Sequence, residues 1–567
     1  MGCFTRLGFI CIAAVLGLSS LPSMAMAQSG RGQAAVPTPQ QLNPTTQQRG
    51  PAAIDNIFAA PEPGPCPLRD SDLSFTLKSV EFAGNDGVKA DQLSRAYDGL
   101  VGQKIKVAEV CDIRDRAAAM LFARGILARV EIPSQRIADG RLHLDVIEAK
   151  IVAVHFHGDG GPAEAKVEDY IEHLRALIPF DLNIAQRYIL LAREVPGVRV
   201  YAAIRPSTEG RGAVDLEVTL QRKEVDLTAN IQNFGSKPLG PWAGLARVDL
   251  NGLTKFGDRS SLMFYSTFDD NEQRVVQLSE EFRPGDLGFV VGWTASYSTT
   301  HPGASLATFD LSGEALDTGI TVTYPLLKKQ ARSIDLIGGF EYVDERTYFG
   351  GNSVLVDDRL RILFAKAHGQ ANGIVFGRPW EAGGDIELRK GVDILHASDS
   401  TQTDLSHGGA NPDAFVQRLT GHVSVRATPL LELYFAATAQ NADSPTLTYE
   451  QLAIGNLTYG RGYDPSSVAG DKGIAGTLEV RVGPFSPIRD LTIGGYAFFD
   501  AAYAKYLDAA GASGGSINVR STGFGVRVSY QDKYDLDILY ARPLDSISTT
   551  TTTPPAERML MTLTARY

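Results

Sequence analysis

The sequence predicts a transmembrane β-barrel of about 16 antiparallel strands, preceded by two small periplasmic α+β domains. Three observations predict it. From residue 225 onward apolar and polar residues alternate with a period of two, with no helical spacing between the runs. The chain carries 57 Gly, 20 Tyr and 25 Phe, yet its mean hydropathy is only -0.08, as expected when lumen-facing polar residues offset lipid-facing apolar ones. Ahead of the alternation, an α/β pattern of about 75 residues occurs twice in succession.

Residues 1–27 read as a secretory signal peptide. Arg6 supplies the positive start, Leu7 to Leu18 is almost wholly apolar, and Ala25-Met26-Ala27 is an A-x-A cleavage site, making Gln28 the expected mature start. The apolar run is short for a bilayer span of ~20 residues. Residues 28–71 form a Pro/Gln-rich linker, as in Pro37-Thr38-Pro39-Gln40-Gln41 and Pro61-Glu62-Pro63-Gly64-Pro65. Such composition buries no core, although a short helix fits Pro51 to Phe58. Of four cysteines, only Cys66 and Cys111 outlast cleavage. In an oxidising compartment they are expected to pair, tying the linker to the first module.

Residues 72–148 switch to the order β-α-α-β-β. Phe75 to Phe82 alternates as a strand, Lys89 to Leu100 and Val107 to Arg124 have helical spacing, and Ile126 to Ile132 and Leu142 to Ile147 return to strand. Residues 149–222 repeat that order: strand Lys150 to Phe156, helices Lys166 to Leu177 and Ile184 to Arg193, strands Arg199 to Arg205 and Val214 to Gln221.

Residues 223–567 are expected to be the barrel. In Leu431 to Gln440 the odd positions are apolar, and in Tyr534 to Ala541 Leu536 and Ile538 are assigned to lipid and Asp535 and Asp537 to the lumen. A tilted membrane strand needs about 9–11 residues, and these runs supply them. The sheet must close, because an open edge in lipid leaves backbone groups unpaired. The final run, Arg558 to Tyr567, ends on an aromatic residue, similar to the assembly signal of outer-membrane barrels.

Within this region stands Tyr459-Gly460-Arg461-Gly462-Tyr463, followed by Gly470-Asp471-Lys472-Gly473. It resembles the "RGY" loop signature of the BamA-like outer-membrane superfamily. That resemblance implies a loop over 451–479 that folds back into the lumen, with its Arg meeting an Asp on the wall. The repeated modules resemble POTRA domains, which recognise polypeptides by adding a strand to a sheet edge. Pro179-Phe180-Asp181-Leu182, with Gln186-Arg187 and Val195-Pro196-Gly197-Val198, is similar to the second POTRA of two-partner secretion transporters. Together these features resemble the haemolysin secretion/activation (ShlB/FhaC/HecB) family. Asn233-Phe234-Gly235-Ser236 and Gly257-Asp258 are similar to that family's first barrel hairpin. Phe498-Phe499-Asp500 matches its wall motif, which places Asp500 opposite Arg461. A guanidinium in a narrow lumen needs a carboxylate, ideally a bidentate one, and Gly460 and Gly462 allow the loop a sharp turn and close approach. Tyr463 is expected to pack on the wall.

The resemblance implies an outer-membrane pore that captures an unfolded secreted exoprotein through its N-terminal two-partner secretion domain. Outer-membrane lipid is the other expected partner. The family often has an N-terminal helix that plugs the pore; here the segment after Gln28, where a plug is expected, is the low-complexity linker. No enzyme activity, cofactor or metal is expected, and no P-loop appears. The formal net charge of -11 and the lack of basic stretches interleaved with aromatics argue against nucleic acid. Gly511-Ala512-Ser513-Gly514-Gly515 fits the letters of a nucleophile elbow without its strand-to-helix setting. His155 and His157 share a strand face but have no third ligand nearby. Thr549 to Thr553 with Pro554-Pro555 reads as a loop before the final strand. Two rivals stay open: a barrel-assembly factor, whose relatives usually carry more modules, and a porin, which has none.

Overall fold

The computed structural model describes residue 42 and residues 65–567, except 85–89, 138, 179, 270–271, 456, 509–513 and 548–551. The signal peptide, most of the linker, Pro179, Gly511 to Ser513 and Thr549 to Thr551 therefore lie outside the described residues.

The first module contains β1 (Ser74–Thr76), β2 (Ser79–Ala83), a 3-10 turn (Ala90–Tyr97), β3 (Lys104–Lys106), α1 (Glu109–Ala123), β4 (Ala128–Glu131) and β5 (Arg141–Glu148). The single strand expected over Phe75 to Phe82 is broken at Leu77-Lys78. There the backbone turns to Gln103 and Gly140 (Leu77 N to Gln103 O 3.0 Å, Lys78 N to Gly140 O 2.7 Å), so β1 pairs with β3 while β2 joins β5. The main sheet runs β2-β5-β4, parallel then antiparallel. Val110, Ile113, Ala117 and Leu121 recur at helical spacing and bury α1 against Leu142, Leu144 and Val146. Cys66 and Cys111 form a disulfide, fastening residue 66 to the start of α1.

The second module repeats the arrangement with β6 (Lys150–Asp159), α2 (Glu164–Arg175), α3 (Leu182–Arg193), β7 (Val198–Pro206) and β8 (Ala213–Arg222). Its sheet order, β6-β8-β7, again combines one parallel and one antiparallel pair. Asp181 caps α3, accepting from Asn183 N (2.7 Å) and Ile184 N (3.3 Å), a contact generally worth ~1 kcal/mol. Phe180 is fully buried under both helices.

Among the described residues, sixteen strands close into one antiparallel barrel. The first eight are β9 (Val225–Gln232), β10 (Ala243–Asn251), β11 (Arg259–Thr267), β12 (Gln273–Phe282), β13 (Val290–Thr300), β14 (Ser312–Lys329), β15 (Arg332–Phe349) and β16 (Ser353–Val375). The rest are β17 (Arg378–Gly391), β18 (Phe415–Thr428), β19 (Leu431–Ala442), β20 (Lys472–Ile488), β21 (Leu491–Tyr506), β22 (Gly515–Tyr530), β23 (Tyr534–Pro543) and β24 (Arg558–Arg566). Neighbours in sequence pair with each other, and β24 closes on β9. No described helix is long and apolar enough to cross a membrane. The alternation sorts side chains as a barrel requires: Leu433, Phe435, Leu478, Phe499 and Phe524 face outward, while Glu432, Thr477, Glu479 and Asp500 are buried inside.

The closing seam is short. Five Cα pairs join β24 to β9, from Thr562↔Gln232 to Arg566↔Thr228, against eight on the other flank of β9. Asn230 reinforces it, donating to Thr562 Oγ1 (2.7 Å), Thr564 Oγ1 (2.9 Å) and Leu563 O (3.2 Å).

Candidate functional site

Between β19 and β20 the chain runs from 443 to 471 and turns back into the lumen. The loop expected over 451–479 thus starts earlier and stops earlier. From Lys472 the backbone already pairs with β21, so Thr477 and Glu479 belong to the wall. Two arms zip together, with Ile454 N to Val468 O at 2.7 Å and Leu452 N to Gly470 O at 2.8 Å. The tip between them carries Arg461.

Arg461 is 2 % exposed and its side chain is saturated by the wall. Its backbone N (3.0 Å) and Nε (3.1 Å) donate to Asp500 Oδ2, and Nη2 donates to Asp500 Oδ1 (2.6 Å). Nη1 reaches Glu479 Oε1 (2.5 Å) and Nη2 also reaches Thr477 Oγ1 (2.6 Å). The guanidinium lies 3.5 Å from the centre of the Phe498 ring, so Phe498 and Asp500, two residues apart on β21, grip it from face and edge. Ser521 Oγ donates to Asp500 Oδ2 (3.0 Å).

The charges continue along the wall. Glu479 Oε2 accepts from Arg481 Nε (2.8 Å) and lies 3.6 Å from Arg527 Nη1. Arg481 in turn meets Glu432 (2.8 Å), and Arg527 meets Asp537 (3.1 Å). Each is stacked on a tyrosine ring, Tyr434 and Tyr496, at 4.0 Å.

The remaining motif residues hold the loop's shape. Gly460 has φ +74, a conformation that favours glycine, and at Gly462 a Cβ would sit 2.6 Å from Pro543 N. At Gly473 a Cβ would meet Tyr503 O at 2.4 Å, and at Gly470 Lys505 N at 2.9 Å. Tyr463 is fully buried and its hydroxyl bridges Arg520 O (2.9 Å) and Asp545 O (3.0 Å). Asp471 ties the loop base, accepting from Thr446 N (2.9 Å), Thr446 Oγ1 (3.0 Å) and Leu507 N (2.7 Å). Alanines on the wall, Ala475, Ala502 and Ala504, leave room for Ile454, Tyr463 and Val468.

A second anchor was not legible as a motif. Glu450, on the descending arm, is buried and receives Arg389 Nε on both oxygens (3.0 Å each) and Nη2 on Oε1 (2.8 Å). Arg418 Nη2 adds a contact at 3.3 Å. Strands β17 and β18 thus converge on one loop residue, and Arg389 also pairs with Glu341 (2.5 Å) of β15 and Glu387 (3.0 Å) of its own strand.

Gln186 and Arg187, grouped by motif with the second module, face the barrel. Arg187 donates to Pro325 O (2.6 Å) and Leu287 O (3.1 Å), and Gln186 meets Gln330 (3.4 Å). Pro196 and Gly197 form the turn facing the end of β10, where a Cβ on Gly197 would sit 2.8 Å from Asn251 Cβ. Phe180 stays in the module core, apart from that interface. Asp258 organises the β10–β11 turn, accepting from Thr254 N (2.7 Å) and Leu253 N (3.2 Å). His157 pairs with Glu217 across β6 and β8, and this partner holds the Glu217 carboxyl below its usual range. Burial pushes the Tyr170 hydroxyl up to about 12. Leu42, in the linker, packs against the lumenal cluster of Leu245, Met263 and Tyr265.

Residues 210–528 match the family model described as haemolysin secretion/activation protein ShlB/FhaC/HecB, and residues 75–149 match the ShlB-type POTRA domain. The chain is 19 % identical over 496 residues to the heme/hemopexin transporter protein HuxB of Haemophilus influenzae (strain 86-028NP), covering 84 % of this chain and 85 % of that one. In solved structures the fold is similar to CdiB from Escherichia coli (TM-score 0.72, 15 % identity, 100 % of both chains). It is also similar to CdiB from Acinetobacter baumannii (TM-score 0.61, 15 % identity, 98 % of both chains).

Proposed function

The chain belongs to the haemolysin secretion/activation family ShlB/FhaC/HecB, as an outer-membrane pore of two-partner secretion, and from that premise we propose how its parts divide the work. The two modules, the second also acting as a POTRA domain, take up an unfolded exoprotein through its N-terminal secretion domain. Among the described residues each sheet ends on strands paired on one side only, β2 and β4 in the first and β6 and β7 in the second, to which an extended peptide can add. Docking of α3 on the periplasmic turns holds that surface at the pore mouth. A barrel of this strand number encloses an aqueous lumen. The exoprotein crosses it extended, without nucleotide hydrolysis, and folding outside makes the passage directional.

In the resting pore the 443–471 loop occupies the lumen. Passage requires it to shift while its base stays attached. The single observation that carries this reading is the Arg461 site: one loop guanidinium whose donors all end on inward-facing wall groups of β20 and β21. Such a buried charge is stable only while its partners are present. The loop therefore has a docked state with a defined release cost.

The test is export of the genetically adjacent candidate exoprotein by wild type, a deletion of residues 72–222, and Arg461→Ala. Exoprotein in the medium with the intact chain alone supports the reading. Unchanged export in both variants, or a loss of assembly of other outer-membrane proteins instead, overturns it in favour of an insertion factor.

A further inference from the structure

The outward face of the wall that holds Arg461 carries a feature the transport reading does not use. Across β19, β20 and β21 one row of outward positions is occupied by small residues, Ala437, Gly476 and Ala501, in direct register. Larger side chains stand on both sides of that row: Phe435, Leu478 and Phe499 below, Ile474 and Tyr503 above. The result is a predominantly apolar groove of about 620 Å³ on the membrane-facing surface.

Its extracellular end is cationic. Arg520 on β22 is the register partner of Ala501 and terminates the small row, beside Asn518. Two outward rows from the small row toward the outside, beyond Ile474 and Tyr503, Lys472 and Lys505 are directly opposed across β20 and β21. Like charges facing each other on one side of a sheet are destabilising. Among the described residues neither lysine has a salt-bridge partner, whereas Arg520 pairs with Asp545 at 2.8 Å. The lysine pair is thus a place where an anion relieves repulsion, set at the head of a slot shaped for a hydrocarbon chain.

We propose that this groove binds an acyl lipid of the outer leaflet whose phosphate gives it a net negative charge, with one chain over Gly476 and Ala501 and the phosphate drawn to Lys472, Lys505 and Arg520. Strands β20 and β21 carry Thr477, Glu479 and Asp500 on their other side, so the lipid sits back to back with the loop anchor. The site rests on the register and the charge pattern and is independent of which polypeptide the pore carries.

The experiment is native mass spectrometry of the full chain, extracted in mild detergent and supplied with lipid A or with phosphatidylcholine. Wild type is expected to retain lipid A and not phosphatidylcholine. Lys472→Ala/Lys505→Ala is expected to lower retention roughly thirtyfold, the effect of two interfacial cations. Ala501→Leu, which fills the slot, is expected to lower it as well. Lys505→Glu supplies Lys472 with a partner within the sheet, so it should raise the barrel's melting temperature while emptying the site. Equal retention of both lipids, retention unchanged in the lysine variants, or retention unchanged in Ala501→Leu overturns the proposal.

Discussion

The loop inside the barrel is held at two points of opposite polarity. At the tip, one loop cation, Arg461, is received by two wall acids, Asp500 and Glu479. On the descending arm, one loop acid, Glu450, is received by two wall cations, Arg389 and Arg418. The tip anchor has no substitute for Asp500, which takes the backbone N, Nε and Nη2 of Arg461 at once. The arm anchor is redundant, because Arg389 keeps Glu341 and Glu387 if Glu450 leaves. The difference assigns the two points different jobs. Under the function proposed above, the tip would serve as the latch, with Asp500 as its main catch, and the arm as a post whose cation the wall keeps paired.

The strongest way to break this comparison is Asp500→Ala. It removes three of the contacts of Arg461 and leaves the buried guanidinium with Glu479 and Thr477 alone, at a cost approaching the roughly 3–5 kcal/mol of a broken buried pair. Export should collapse and protease cleavage in the loop should rise, with the barrel still showing heat-modifiable migration. A loop as protected as in wild type would remove the tip's privileged role. Glu450→Gln comes next. It weakens charge-assisted contacts worth roughly 1.5–3 kcal/mol, and loop protection should fall measurably less than in Asp500→Ala. The reverse order would exchange the two assignments.

A double-mutant cycle between Arg461→Ala and Glu450→Ala sharpens the picture. The anchors share no hydrogen-bond partner, so their effects on barrel melting should add to within about 0.5 kcal/mol. Arg187→Ala tests a third contact outside the loop. Loss of the guanidinium that donates to two backbone carbonyls should weaken docking of the second module by roughly 1–3 kcal/mol, read as faster proteolysis between the modules and the barrel, with the loop unaffected. The smallest effect belongs to the exposed His157–Glu217 pair. Since His157 lowers the Glu217 pKa, its contribution is present above the ordinary carboxylate value of about 4.3 and fades as pH falls through the lowered one. His157→Ala should flatten that acid limb of the modules' melting curve, lowering the melting temperature slightly at neutral pH and leaving it unchanged at the acid end.

The same comparison explains what the sequence could reveal. The tip was legible because its chemistry is local: glycines flanking Arg461, and an aromatic two residues before Asp500. Barrel strands and helices were legible because period and length are local too. Glu450 gave no such signal. Its partners lie 61 and 32 residues away on separate strands, and nothing around Arg389 or Arg418 distinguishes them from other lumenal cations. Glu479 escaped for a related reason. It sits in an ordinary alternating strand, and only the register of β20 with β21 brings it to Arg461. The broken first strand was hidden because Leu77 and Lys78 keep the alternation while their backbone bonds go elsewhere. Gln186 and Arg187 were grouped by motif with the second module, but a motif does not say that they look toward another part of the chain.

The seam between β24 and β9 bears on time as well as on shape. Every other ladder of the ring joins neighbours in sequence, whereas Asn230 finds its partners 332 to 334 residues away. Loop-closure entropy for such a span exceeds that of a hairpin by about 3 kcal/mol, and five residue pairs must outweigh it. The sheet therefore grows by local zippering and becomes a ring in one late step. Until that step every membrane strand can be formed while both outer edges still seek hydrogen bonds, so the interval before closure, more than the formation of any strand, is when this protein is most exposed to pairing with the wrong neighbour.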